Sequence, residues 1–172
     1  MNRLCFTGDP EFSSLKDVFR LTMIIDVIQS IGEIVRQLLV VARSTLEEEG
    51  LHLPTAILHT VEGMLPIVLP FKDDNQKRAL TNFVKKEAVQ RHSFAVTTIT
   101  SARIVDSRTG EDKECLVLAT SVQGGRPYIV VQHFSRRDQA GPIEFGEIIE
   151  GEDAEMPGQM IIFPDWDTEV CH

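Results

Sequence analysis

The side chains of this 172-residue chain best suited to chemistry are two carboxylates and a set of imidazoles. Asp165 and Asp167 flank Trp166, directly after the apolar run Ile161-Ile162-Phe163-Pro164. Carboxylates at a strand end are hard oxygen donors that can hold a divalent cation and, through it, activate water for hydrolysis. Such a centre needs further ligands from other strands. His59 and His133 both sit in strand-like segments and could meet there as base or ligand if their strands are neighbours.

Against a metal hydrolase stands the spacing. His52, His59, His92, His133 and His172 form no HxH, HxxxH or HExxH pair, so no two rings are brought together by local structure. The plainer interpretation is favoured: Asp165 and Asp167 mark an acidic strand end with Trp166 packed on a sheet, and the histidines are half-buried strand or turn residues. Cys115 opens the apolar segment Cys-Leu-Val-Leu-Ala, where a thiol is expected to be a small core residue rather than a nucleophile. Gly124-Gly125 lies between two strand-like segments and signals a tight turn, not a phosphate cradle. No GxxxxGK(S/T) or GxGxxG is present, and no cofactor is expected.

Composition narrows the classes further. With 42% apolar and 25% charged residues the chain is of globular type, and its length is enough for one domain with a core of its own. Cys5, Cys115 and Cys171 are odd in number and far apart, as expected of reduced thiols in the cytoplasm rather than of a disulfide framework or zinc site. The most apolar stretch, residues 21–42, carries Asp26, Glu33 and Arg36, and a membrane-spanning helix with three charges near its middle is disfavoured. A stripe of Lys77, Arg78, Lys85, Lys86 and Arg91 could face phosphates. A pI near 5.0 with one Tyr and one Trp argues against nucleic acid, and a solvated helix face is expected instead.

The net charge of −9 is unevenly placed. Residues 138–172 hold ten acids (Asp138, Glu144, Glu147, Glu150, Glu152, Asp153, Glu155, Asp165, Asp167 and Glu169) and no Lys or Arg, so the preceding 137 residues sum to +1. This acidic segment could attract a basic macromolecular partner or pair with the chain's own basic helix, the second being the simpler expectation.

The elements that must position these groups follow from periodicity. Residues 1–12 lack a pattern and are expected to be loose. Ser13 or Ser14 can cap a helical part, residues 13–50, in which Leu15, Val18, Phe19, Met23, Ile31, Val35, Leu38, Leu39, Ala42 and Leu46 share a face. It is one bent helix or two. Ile24, Val27, Val40 and Val41 widen the apolar surface beyond one stripe, which points to burial on several sides, and a homo-oligomer through these helices is expected.

Residues 51–172 read as the sheet part. Segments 55–61 and 64–71 around Glu62-Gly63 read as a hairpin whose second strand, with Pro66 and Pro70, should lie at an edge or be short. Asp73 or Asp74 opens a helix to Gln90, with Leu80, Phe83, Val84 and Ala88 at helical spacing. A three-stranded meander (94–105, 114–121 and 127–134) and two short strands (142–149 and 160–164) complete the chain.

The fold class predicted is therefore α+β, a single domain over residues 13–172 with an N-terminal helical segment and a mostly antiparallel sheet. The function expected is a non-catalytic, oligomeric binding or interaction module. The alternative is a metal-dependent hydrolase using the C-terminal carboxylates.

Overall fold

The computed structural model describes residues 15–105, 110–123, 127–136 and 141–150, with the backbone alone for residues 15–30. The loose segment 1–12, the strand at 160–164 and both Asp165 and Asp167 lie outside the described residues. The chain divides into two compact units, Met1–Ile34 and Val35–His172. What is described of the first is helical from Leu15, the start of helix α1 (Leu15–Glu49). The second holds the rest of α1, helix α2 (Asp74–Gln90) and one antiparallel sheet of six strands. The α+β class is thus the observed one.

Helix α1 is a single helix of 35 residues, which settles the choice between one helix and two. It ends at Gly50, whose φ of +69° is left-handed and whose N–H donates to the Leu46 carbonyl at 2.9 Å. A side chain at this position would strain the backbone. The hairpin that follows is β1 (Thr55–Thr60) and β2 (Gly63–Val68). The Thr60 hydroxyl donates to the Gly63 carbonyl at 2.9 Å, closing the turn. Pro66 pairs with Ile57, and β2 is an edge strand, as the missing N–H requires.

The strands after α2 are β3 (Ala95–Val105), β4 (Asp112–Val122), β5 (Tyr128–Arg136) and β6 (Ile143–Glu150). They form a four-stranded meander, one strand more than the expected three, because the 142–149 segment pairs with β5. The sheet order is β2-β1-β3-β4-β5-β6. Strands β2 and β3 run parallel with β1 between them, so their connection must cross one face of the sheet, and α2 is that crossover.

Register sorts the side chains onto two faces. Leu58 pairs with Val96, Ala56 with Thr98, Thr98 with Ala119 and Ala119 with Ile129, so these share one face. Val84 and Ala88 of α2 pack there with Ala56, Leu58, Leu69 and Val96. Phe83, placed by periodicity on the same stripe, is instead exposed. The other face carries Leu116, Leu118, Val130, Gln132 and Phe134 in buried positions.

The second half of α1 lies on this other face, parallel to β5. The Arg36 guanidinium binds the Glu150 carboxylate, Arg43 binds the Gln132 side-chain oxygen and stacks over Phe145, and Arg136 donates to the Gly50 carbonyl. The inward side chains of this half, Val35, Leu38, Leu39, Ala42 and Leu46, are buried. Gln132 also donates to the Gly146 carbonyl at 2.8 Å, at the point where the β5–β6 register slips. Its buried amide is thereby held on both sides, and the bulge in β6 is pinned.

Asp73 caps α2 by accepting from the Gln76 N–H at 2.8 Å, and Gln76 in turn accepts from the Lys72 N–H at 2.9 Å. At the other end Arg91 donates to Glu87 at 2.9 Å. Replacing Asp73 with Ala removes one helix-end acceptor and is expected to lower stability by about 0.5–2 kcal/mol. Urea unfolding with an unchanged m-value is the measurement, since a changed slope would mean that the denatured state had been altered instead.

Candidate functional site

The face under α1 carries a polar row among its apolar side chains. It starts on β1 with His59, whose Nε2 lies 2.7 Å from Thr97 Oγ1 on β3. Thr97 Oγ1 lies 2.8 Å from Thr120 Oγ1 on β4, its direct cross-strand partner. Thr120 pairs in register with Tyr128 on β5. The Tyr128 hydroxyl donates to the Glu150 carboxylate on β6 at 2.7 Å, and Arg36 of α1 grips both oxygens of that carboxylate at 3.1 and 3.0 Å. Six side chains from five strands and one helix thus lie along one line.

Chemically the two ends of the row differ. At the inner end a hydroxyl hydrogen-bonded to an imidazole has the form of a nucleophile with its base. Thr97 is fully buried and His59 is only 2% exposed, so no substrate atom can reach that oxygen. Burial also pushes the His59 imidazolium down to a pKa of about 4, so the ring is neutral at physiological pH. Its face lies near Phe94, with ring centroids 6.2 Å apart. The arrangement pairs His59 Nε2 and the two threonine hydroxyls, leaves the buried His59 Nδ1 without a hydrogen-bond partner, and ties β1, β3 and β4 in register.

The outer end is electrostatic. Hydrogen bonds from Arg36 and Tyr128 hold the Glu150 carboxyl below its ordinary range, and the ion pair raises Arg36 in turn. The Tyr128 hydroxyl is raised, first by burial and then by its bond to Glu150. A carboxylate already committed to two partners is not a free base or ligand.

The imidazoles singled out from sequence do not meet. His59 on β1 and His133 on β5 are separated by β3 and β4. They also lie on opposite faces, since His133 pairs with Cys115, which shares the α2 face. His52 is buried beside the end of α1, its pKa lowered by desolvation against the opposing pull of its bond to Leu53 and of the Glu49 charge. Among the described residues no group of three His, Cys, Asp or Glu side chains could hold a metal. Asp165 and Asp167 lie outside the described residues. Cys115 is fully buried, donates to the Ala102 carbonyl at 3.6 Å and is pushed up to about 11 by burial, so it is a thiol and not a thiolate near neutrality.

No family model, curated protein or solved structure matches the chain. No helix among the described residues is long and apolar enough to cross a membrane.

The polar row itself was not read from the sequence, although a signal was there. Thr97, Thr98, Thr100 and Thr120 interrupt strands that are otherwise Ala, Val, Ile and Leu, and a hydroxyl at a buried position needs a partner. A testable consequence concerns pH. The unfolded chain binds a proton at His59 near pH 6.5, whereas the folded chain binds it only near 4, so stability is complete above about 6.5 and falls as the pH drops through that window. The full loss is on the order of 3 kcal/mol. Urea unfolding at pH 7.5 and at pH 5 is expected to show the fall, and His59→Gln to flatten the part that His59 contributes.

Proposed function

We propose that this chain is a non-catalytic module that self-associates through α1 and binds a macromolecular partner. One observation carries the first half. In the described part of α1 the inward stripe of Val35, Leu38, Leu39, Ala42 and Leu46 is buried, yet Val40 and Val41 are each 61% exposed. At about 100° per residue these two valines point away from the stripe. The helix therefore presents two exposed valines away from its buried stripe, and Leu51 and Leu53 just beyond its end are exposed as well.

Single exposed aliphatics are ordinary, but adjacent β-branched residues in mid-helix cost helix propensity without the return of burial. A second copy of the helix would supply that burial. Upstream, Ile24 and Val27 widen the apolar surface of the same helix in sequence, as Val40 and Val41 do here. The site chemistry supports the non-catalytic half: the Thr97–His59 hydroxyl–imidazole pair is sealed, the buried Cys115 thiol is protonated, and the Glu150 carboxylate is already bound. For the partner, the acidic segment 138–172 favours a basic macromolecule, with Glu150 excluded from the available charges by its bond to Arg36.

Light scattering at micromolar concentration is expected to give a mass above that of one chain. Val40→Glu with Val41→Glu is expected to return the mass to one chain while leaving the fold intact, since exposed substitutions usually change stability by no more than about 0.5 kcal/mol. A monomeric parent chain over the whole micromolar range would remove the self-association.

The hydrolase alternative has its own measurement. An ion bound only by the folded state must raise the melting temperature, so Mg²⁺, Mn²⁺, Ca²⁺ and Zn²⁺ in large excess are each expected to leave it unchanged. A rise that Asp165→Asn and Asp167→Asn abolish would instead establish the carboxylate metal site.

A further inference from the structure

The inner end of the polar row has a bond on one side only. His59 Nε2 meets Thr97 Oγ1 at 2.7 Å, while the buried Nδ1 has no hydrogen-bond partner among the described residues. A neutral ring tolerates this, because one of its nitrogens carries no hydrogen. A protonated ring carries an N–H on both, and the second would be charged, dehydrated and unpaired.

No described group stands ready to compensate that charge. In register beside His59 are Met64 on β2 and Ala95 on β3, with Thr97 and Thr120 along the row and the Phe94 ring 6.2 Å away. Glu62 in the hairpin turn and His92 ahead of β3 are exposed, and Arg103 pairs with Glu114 toward the far end of β3. On α1, Arg36 and Arg43 are bound to Glu150 and Gln132, and Glu33, Glu47, Glu48 and Glu49 are exposed. Helix α2 packs on the opposite face. Glu150 belongs to β6, four strand spacings or about 19 Å from β1, well beyond the screening length at physiological salt.

The seam that the ring closes is short. Strand β1 pairs with β3 over five residues, whereas β3 pairs with β4 over eleven. His59 fastens one end of it with its ring nitrogen on Thr97, its ring near Phe94, and its carbonyl accepting from the Phe94 N–H at 2.9 Å. Each partner belongs to β3 or to the residue leading into it. We propose that proton uptake by His59 parts β1 from β3, so that the β1–β2 hairpin opens from the meander as a unit in mild acid. The hairpin keeps its own six-residue pairing, and α1 keeps its arginine contacts, which go to β5 and β6. The loss of stability with acid is thereby concentrated in one seam. The inference is independent of self-association through α1.

Hydrogen exchange of the full-length chain, resolved by segment and corrected for the intrinsic effect of pH, tests this. A ring that binds its proton near pH 6.5 when open and near 4 when closed raises the opening constant about thirtyfold between pH 7.5 and pH 5. Residues 55–60 are expected to show that rise, with residues 115–121 and 129–132 changing by less than about threefold. An equal rise in all three segments would mean global unfolding, and a rise confined to residues 31–49 would mean that α1 lifts instead; either would overturn the proposal. His59→Gln is expected to abolish the rise in residues 55–60, and a rise retained in that variant would overturn it too. The parent chain supplies a check that needs no variant. A His59 proton resonance that titrates near pH 6.5 while residues 55–60 stay protected would show the ring charging inside a closed seam, against the proposal.

Discussion

The central strands are apolar on both faces, and this one constraint shapes everything around them. Residues 115–121 of β4 are buried without a break, as are residues 95–100 of β3 and 129–132 of β5. A strand buried on one side shows alternation, whereas an unbroken run means a layer above and a layer below. The sheet therefore cannot stand as an antiparallel surface with a wet back. One cover is the second half of α1. On the opposite face α2 covers the β2-β1-β3 side. The topology serves the same end, because α2 can roof β1 and β3 only by crossing from the edge strand β2 to the sheet interior.

Two-sided burial makes each polar atom inside the sheet expensive, by roughly 1–3 kcal/mol if it is left unpaired. The row from His59 through Thr97 to Thr120 offsets part of that cost by hydrogen bonding across three strands, with His59 Nδ1 left unpaired. It also makes the pairing of β1 with β3 register-specific. A slip of one residue would turn Thr97 to the α2 face and leave His59 without its partner. Glu150 and Tyr128 sit where the same row reaches solvent, and there an ion pair with Arg36 becomes affordable. The gradient from a neutral imidazole inside to a paired carboxylate outside is what a row running from core to edge should show.

Much of this was legible in the residues. Asp73 or Asp74 announced the start of α2, Pro66 put β2 at an edge, and Glu62-Gly63 marked the hairpin turn. These are local signals, each set within four residues by backbone stereochemistry. Strand neighbours are not local. Nothing near His59 or His133 says that two strands lie between them, or that one slip in parity places the rings on opposite faces. The pairing of β1 with β3 across α2 was likewise out of reach, and with it the polar row, which exists only once that pairing is made. The exposure of Phe83 shows the same limit on a helix, where periodicity proposes a face and tertiary packing chooses its width.

The attachment of α1 to the sheet bears on what its outer side can do. Arg36, Arg43 and Gly50 are seven residues apart, and their partners on or beside β5, Tyr128 with Glu150, Gln132, and Arg136, recur every four. Seven helical residues rise about 10.5 Å and four strand residues about 13 Å, so the two ladders run nearly in step along the parallel axes. Exposed ion pairs add little stability, commonly 0–1 kcal/mol, and the buried stripe from Val35 to Leu46 supplies the hold. What the arginine contacts add is rotation: three of them on one flank stop the helix from rolling about its axis. If α1 could roll, Val40 and Val41 would turn into the core and displace Arg43. Held as it is, the helix keeps them outward, and their exposure is a fixed property of the fold rather than slack in it.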